Sequence, residues 1–357
     1  MKISFFGSSL LSAYWNGAAT YYRGILSALF ELGHEIVFYE PDAWDRQRYR
    51  DLADPHYAQT VIYPADNEAT AIEMVKKAAR QTDLLVKASG VGIFDQVLEQ
   101  AVVDFRTADT TVAFWDVDAA ATLERVSHDP GDPFRALIPL YDVVFTYGGG
   151  DWVVKHYRRL GAQRCFPVYN ALDPRTHHPA PAAADFDSAL SFLGNRLPDR
   201  EARVFEFFFT PARANPHMRF ILGGSGWDDA VQAYSNVDYL GHVYTADHNA
   251  FNSTPLAVLN VCRESMARCG YSPPTRLFEV AGAAGCLITD AWDGIESFLE
   301  PGRECLVAHD GNEVGDQLRG LSRAQAREIG QAALRRILGE HTYAHRAREV
   351  ESVLHAL

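Results

Sequence analysis

Short β-branched and aromatic runs alternate along the chain with longer stretches whose apolar residues recur three and four positions apart. The first kind suits a buried parallel strand and the second an amphipathic helix, so the alternation predicts βαβ units. Residues 3–6 form the first predicted strand. Over 18–32, Tyr22, Ile25, Leu26 and Leu29 share one helical face, and Gly33 is placed to end the helix. Further strands are predicted at 36–39, 84–87, 111–114 and 143–146, with a helix at 151–160 opened by Gly148-Gly149-Gly150 and closed by Gly161. The pattern then breaks: residues 170–185 (NALDPRTHHPAPAAAD) are rich in proline and alanine and have no apolar period, as a linker would. Strands resume at 189–193, 220–222, 256–261 and 286–289, and 324–357 is helical by pattern.

The expected architecture is therefore α/β, with two Rossmann-like, doubly wound parallel-sheet domains facing a cleft and C-terminal helices. Residues 1–170 make the first domain, 171–185 the hinge, 186–340 the second domain and 341–357 a C-terminal helix. In such folds ligands bind outside the carboxyl ends of the strands.

Length agrees, since 357 residues exceed what one core usually supports. The formal net charge of -13 disfavours wrapping a nucleic acid, yet one arginine cluster can still hold a small anion. Every lysine lies at or before Lys155, so the second half is positive only through arginine, whose planar fork suits a diphosphate. Five cysteines (Cys165, Cys262, Cys269, Cys286, Cys305) show no C-x-x-C pair and no zinc spacing, which suggests free thiols in a reducing compartment. The N-terminus lacks a signal-peptide pattern and no apolar run approaches a membrane span, so the expected location is the cytoplasm.

The most informative segment is 260–290, NVCRESMARCGYSPPTRLFEVAGAAGCLITD. A strand ends near Val261, a loop with paired prolines follows, and a helix starts near Pro274 or Thr275. Free N–H groups at such a start make a seat for phosphate. Arg276 lies in the first turn, where a cation is unfavourable unless an anion is near. Glu279 lies near it on the helix surface, and its carboxylate can accept both hydroxyls of a ribose; a solvated Arg–Glu pair fits the same spacing. Gly224 lies in a glycine-rich strand end where a backbone can come close to a ligand or simply turn. His242 is placed either to stack on a base or to support the fold. In the first half, Trp15-Asn16-Gly17-Ala18 lies between a strand and a helix start, so Asn16 and Gly17 are candidate acceptor contacts. No G-x-G-x-x-G fingerprint is present there. Asp116 and Asp118 follow a strand as a D-x-D. Such a pair holds a divalent cation, serves as general base or acceptor contact, or caps the helix beginning near Ala119.

The segment GYSPPTRLFEVAGAAGCLITD, with FLGNRLPDRE at 192–201, FWDVDAAATLERV at 114–126 and FPVYNALDP at 166–174, resembles the bacterial CgeB-type (spore maturation protein B-like) family of GT-B glycosyltransferases. The resemblance spans nearly the whole chain. It implies a nucleotide-diphosphate-sugar donor as substrate, no cofactor and no essential metal. It places the donor ribose on Glu279, and the diphosphate and sugar beside Tyr271, Ser272, Thr275 and Arg276. Gly194-Asn195-Arg196 matches the place where such enzymes set an arginine against the phosphates. Asp118, ahead of Asp116, would then serve as base or acceptor contact. Two departures matter: the glutamate many retaining relatives carry eight residues before the ribose-binding one is Tyr271 here, and no lysine is available for the diphosphate. Arg196, Arg200 or Arg263 would substitute. A nucleotide-sugar epimerase, which needs no acceptor, and a non-catalytic nucleotide-sugar or glycan binder are the competing readings. Acceptor and oligomeric state are not specified by the sequence.

Overall fold

All strand pairings among the described residues of the computed structural model, 1–14 and 16–357, are parallel. The chain divides into two units, residues 1–170 with 343–357, and residues 171–342.

The first unit holds β1 (Lys2–Phe6), β2 (Glu35–Asp42), β3 (Gln59–Pro64), β4 (Leu84–Ala88), β5 (Thr111–Asp116), β6 (Val143–Thr146) and β7 (Cys165–Pro167) in the order β3-β2-β1-β4-β5-β6-β7. Its central strands are covered on both faces: β4 and β6 are buried at every position, apolar but for Lys87, which pairs with Asp95, and Thr146. Phe6, Leu85, Val112, Phe114 and Val144 fill the core on one side. The second unit holds β8 (Leu190–Leu193), β9 (Phe220–Gly223), β10 (Val237–Gly241), β11 (Ala257–Asn260), β12 (Leu287–Asp290) and β13 (Leu306–Ala308) in the order β10-β9-β8-β11-β12-β13. Each sheet thus reverses its direction of winding once, between β1 and β4 and between β8 and β11. In a doubly wound sheet that reversal opens a crevice at the strands' carboxyl ends.

Two stretches add detail to the predicted pattern. The helical pattern over 324–357 is two helices, Arg323–Glu340 in the second unit and Tyr343–His355 in the first, parted at His341–Thr342. The break arises where Leu172 bridges Thr342 and donates its N–H to the His341 carbonyl at 2.9 Å, so the two chain crossings run side by side. Tyr343 then seats on Gly24, where a Cβ would come within 2.1 Å of its ring. The proline-rich stretch is also laid down on the second unit. Ala183 N–H donates to Thr254 Oγ1 at 3.0 Å, and Asn249 bonds both His178 N–H and the Thr176 carbonyl.

Candidate functional site

The winding reversal in residues 171–342 places three segments together: the loop after β8, the loop after β11, and the helix Thr275–Gly282 that leads toward β12. Pro274 precedes that helix in extended geometry with φ -68°, and no side chain caps the helix start. Arg276, in the first turn, reaches the end of β8, where Nη2 donates to the Leu193 carbonyl at 3.1 Å. Its Nη1 lies 2.9 Å from Glu279 Oε2. The spacing of one turn makes this pairing local, while Leu193 fixes the direction in which it points.

Glu279 has a side chain 15% exposed, and Oε1 has no hydrogen-bond donor among the described residues; His177 Nε2 lies 3.9 Å from it. Burial opposes its ionisation, but Arg276, His177 and His248 together override it and hold the carboxyl below its ordinary value. His177 and His248 are themselves lowered, first by burial and against the pull of Glu279. Their rings lie 6.5 Å apart at an interplanar angle of 25°. Neither histidine was a candidate from sequence. His177 sits in the proline-rich stretch and His248 in a short helix, and only folding brings them to Glu279.

Arginines crowd the same edge. Arg200 donates to the Asn195 carbonyl at 2.6 Å and lies over the Phe192 ring, while its buried Nε has no hydrogen-bond partner among the described residues. Burial pushes Arg200 down, and Arg276 and Arg263 push it further, with Asp199 opposing. Arg200 thus has two guanidinium groups near it and no carboxylate of its own among the described residues, which favours an anion beside it. Arg203 binds Asp290 at 2.6 Å, and Asp290 accepts from the Cys262 N–H, which fixes the loop after β11.

The sequence candidates fall into distinct groups. Glu279, Arg276 and Thr275 share the helix. Tyr271 and Ser272 lie in the loop before it: Tyr271 takes φ 45°, its N–H donates to the Asp293 carbonyl, its ring covers Gly294, and Ser272 Oγ bonds the Gly270 carbonyl. Arg263 pairs with Asp199. Arg196 is engaged by Glu201 and by Asp229 at 2.7 Å and lies over the Trp227 ring, so its charge is matched within the loop as the residues stand. Arg200, not Arg196, carries the unmatched guanidinium. Gly224 packs against the loop after β8. At φ 110° its missing Cβ leaves room for the Gly194 carbonyl, which a Cβ would approach to 2.3 Å, so the glycine serves backbone packing between loops. His242 is exposed, edge-on to Tyr244, and is absent from the groups acting on Glu279.

In residues 1–170, Asp116 departs most from expectation. It is fully buried, and Oδ1 accepts from Ser89 Oγ, Thr122 Oγ1 and the Asp118 N–H while Oδ2 accepts from Tyr157 OH at 2.5 Å. Burial raises its carboxyl against the pull of these donors. Both oxygens accept hydrogen bonds, so the carboxylate ties β5 to its neighbours. Asp118 is exposed and makes no capping bond to the helix Ala119–His128. Asn16 spends its amide on the Ser9 and Ser12 carbonyls and on Ser8 Oγ, which latches its own loop. Gly17 is exposed, with nothing within 4 Å of where a Cβ would stand. Trp15 lies outside the described residues.

Among the described residues no group of three or more His, Cys, Asp or Glu is placed to hold a metal ion, and no helix is long and apolar enough to cross a membrane. The cysteines are free; burial pushes Cys165, Cys286 and Cys305 up to about 12, and Cys262 is also raised by burial. Only the thiolate reacts appreciably. A disulfide reagent added to the folded protein is therefore expected to titrate Cys269 alone; rapid release of more than one equivalent would show that the buried thiols are open.

Residues 200–352 match the family described as glycosyl transferase-like. No curated protein sequence matches the chain. Among solved structures, the chain is similar to a sucrose-phosphate synthase from Thermosynechococcus elongatus, at 12% identity over 100% of this chain and 98% of that one, with a TM-score of 0.72. It is likewise similar to HepE from Anabaena in complex with UDP-glucose, at 12% identity over 100% of both chains and a TM-score of 0.70. The lipopolysaccharide outer core galactosyltransferase WaaB in its apo form gives 14% identity over 100% of both chains and a TM-score of 0.64. The two sheets are those of the two-Rossmann-domain GT-B architecture.

Proposed function

We propose, from a glycosyltransferase-like segment set on two Rossmann-like units, that this protein transfers a sugar from a nucleoside-diphosphate sugar held by residues 171–342. The observation that carries the proposal is Glu279: an ionised, mostly enclosed carboxylate at the winding reversal, with Oε2 on Arg276 and Oε1 lacking a donor among the described residues. One carboxylate oxygen can accept both hydroxyls of a ribose, and Arg276 holds the side chain in one orientation for them. The diphosphate would lie between Arg200, Arg276 and the start of the helix Thr275–Gly282, where it relieves the repulsion among the arginines. As the bond from sugar to phosphate breaks, those groups stabilise the departing charge, so catalysis is chiefly positioning and electrostatics. HepE was crystallised with UDP and glucose and with UDP-glucose, and the T4 phage enzyme BGT with UDP-glucose, which makes a uridine diphosphate sugar the first donor to test.

Residues 1–170 present the acceptor, with the exposed Asp118 as its contact or base. The reaction needs no divalent cation, and the narrower CgeB-type assignment stands as part of the same proposal. The test is a thermal-shift screen against UDP-, GDP-, TDP- and CDP-sugars, then turnover in excess EDTA. A matching donor at a hundred times its Kd adds about 2.7 kcal/mol to the unit that binds it. No shift with any of them would defeat the proposal; activity lost to EDTA and restored by Mn²⁺ would overturn the metal-free part.

A further inference from the structure

Three loops meet at the carboxyl edge of the first sheet, beside its winding reversal between β1 and β4. Arg46, nearly buried, ties two of them to its own: Nη1 donates to the carbonyls of Ser8, just after β1, and Val91, just after β4, both at 3.1 Å. Ser12 Oγ donates to the Tyr49 carbonyl, and Asp51 N–H to that of Leu11, so the β1 and β2 loops are stitched together as well. On this clamped base sit exposed aromatic rings. Trp44 is 60% exposed and rests against Gly92, where a Cβ would stand 3.1 Å from its indole Nε1. Tyr14 and Tyr49, 39% and 43% exposed, stack with centroids 4.1 Å apart. Trp44 and Asp45 hold consecutive left-handed conformations, φ 61° and 56°, which non-glycine residues adopt only at a cost. Folding energetics do not call for a large indole held out in solvent on a strained turn.

The polar surroundings select its partner. Asp42 and Asp45 flank Trp44, both are exposed, and neither side chain has a hydrogen bond or ion pair among the described residues. The nearby arginines are engaged, Arg48 over the Tyr49 ring and Arg50 with Gln47 and Asp54. An anionic membrane surface or a phosphate ligand would need free cations here. A neutral sugar ring suits the site on both counts: its C–H face lies on an aromatic face, and its hydroxyls donate to carboxylates.

We propose that Trp44, with Asp42 and Asp45, forms a saccharide subsite, and that the acceptor is a neutral glycan whose pyranose ring stacks on the indole. Calling the saccharide an acceptor rests on the glycosyl-transfer reading; the binding itself does not. The test titrates the full chain with neutral gluco-, galacto- and manno-tetrasaccharides and, separately, with UDP-glucose, in wild type, Trp44→Ala and Trp44→Phe. At least one saccharide is expected to bind, to weaken about tenfold in Trp44→Ala, and to recover most of its affinity in Trp44→Phe. UDP-glucose affinity and melting temperature should be equal in all three proteins, because Trp44 is a surface residue outside the donor site. The subsite is overturned if no neutral saccharide binds, if Trp44→Ala binds as wild type does, or if Trp44 instead mediates binding to anionic phospholipid vesicles. Saccharide binding without any nucleotide-sugar binding would uphold the subsite and sink the transfer reading alone.

Discussion

Replacing Asp116 by alanine is expected to cost residues 1–170 about 3–5 kcal/mol of stability, the cost of leaving several buried donors without an acceptor. Ser89, Thr122, Tyr157 and the Asp118 N–H all converge on this carboxylate, which ends β5 and ties it to two helices and to the turn after β4. Asparagine is a far milder change: its oxygen still accepts from the Ser89 side, and its amide can donate to Tyr157, whose hydroxyl can turn to accept. Urea unfolding monitored through Trp115, buried in the same strand, separates the two variants. Equal stability of Asp116→Ala and wild type would show that these hydrogen bonds do not hold the unit together.

Glu279→Gln is expected to weaken nucleotide-sugar binding by about one to two orders of magnitude, since hydrogen bonds to a charged acceptor contribute roughly 1.5–3 kcal/mol. Glutamine keeps the volume and an acceptor oxygen, so the loss reports the charge. Alanine is a poorer probe, because it would leave Arg276, whose side chain is only 17% exposed, without its counter-ion. The same variant carries a pH signature. The folded Glu279 carboxyl lies below its ordinary value, so its contribution to stability is complete above about pH 5 and is lost as pH falls through the depressed folded value. Wild type should therefore lose more stability than Glu279→Gln on acidification below about pH 4. Titration calorimetry with UDP-glucose and urea melts across pH measure the two effects. Undiminished nucleotide affinity in Glu279→Gln would remove the ribose from this carboxylate.

The central strands were visible along the chain because strands covered on both faces are mostly apolar, as β4 and β6 are apart from Lys87 and Thr146. Their alternation with helical periods was enough to predict two doubly wound sheets. The strands that escaped, β3, β7, β10 and β13, are the outer strands of the two sheets. An edge strand has fewer neighbours to pack against, so its pattern is short or mixed: β3 is buried at one position in six, and β7 and β13 have three residues each. Arg276 and Glu279 were legible for a related reason, since a separation of three on a helix is a local fact. Everything that depends on partners far along the chain was settled by folding: Arg196 neutralised while Arg200 is left unmatched, His177 and His248 brought to Glu279, Asp116 sealed away from solvent, and the final helix returned to the first unit. Periodicity records how much of a segment is covered; it does not record which distant group covers it, and the charge state of a site is decided by that second fact.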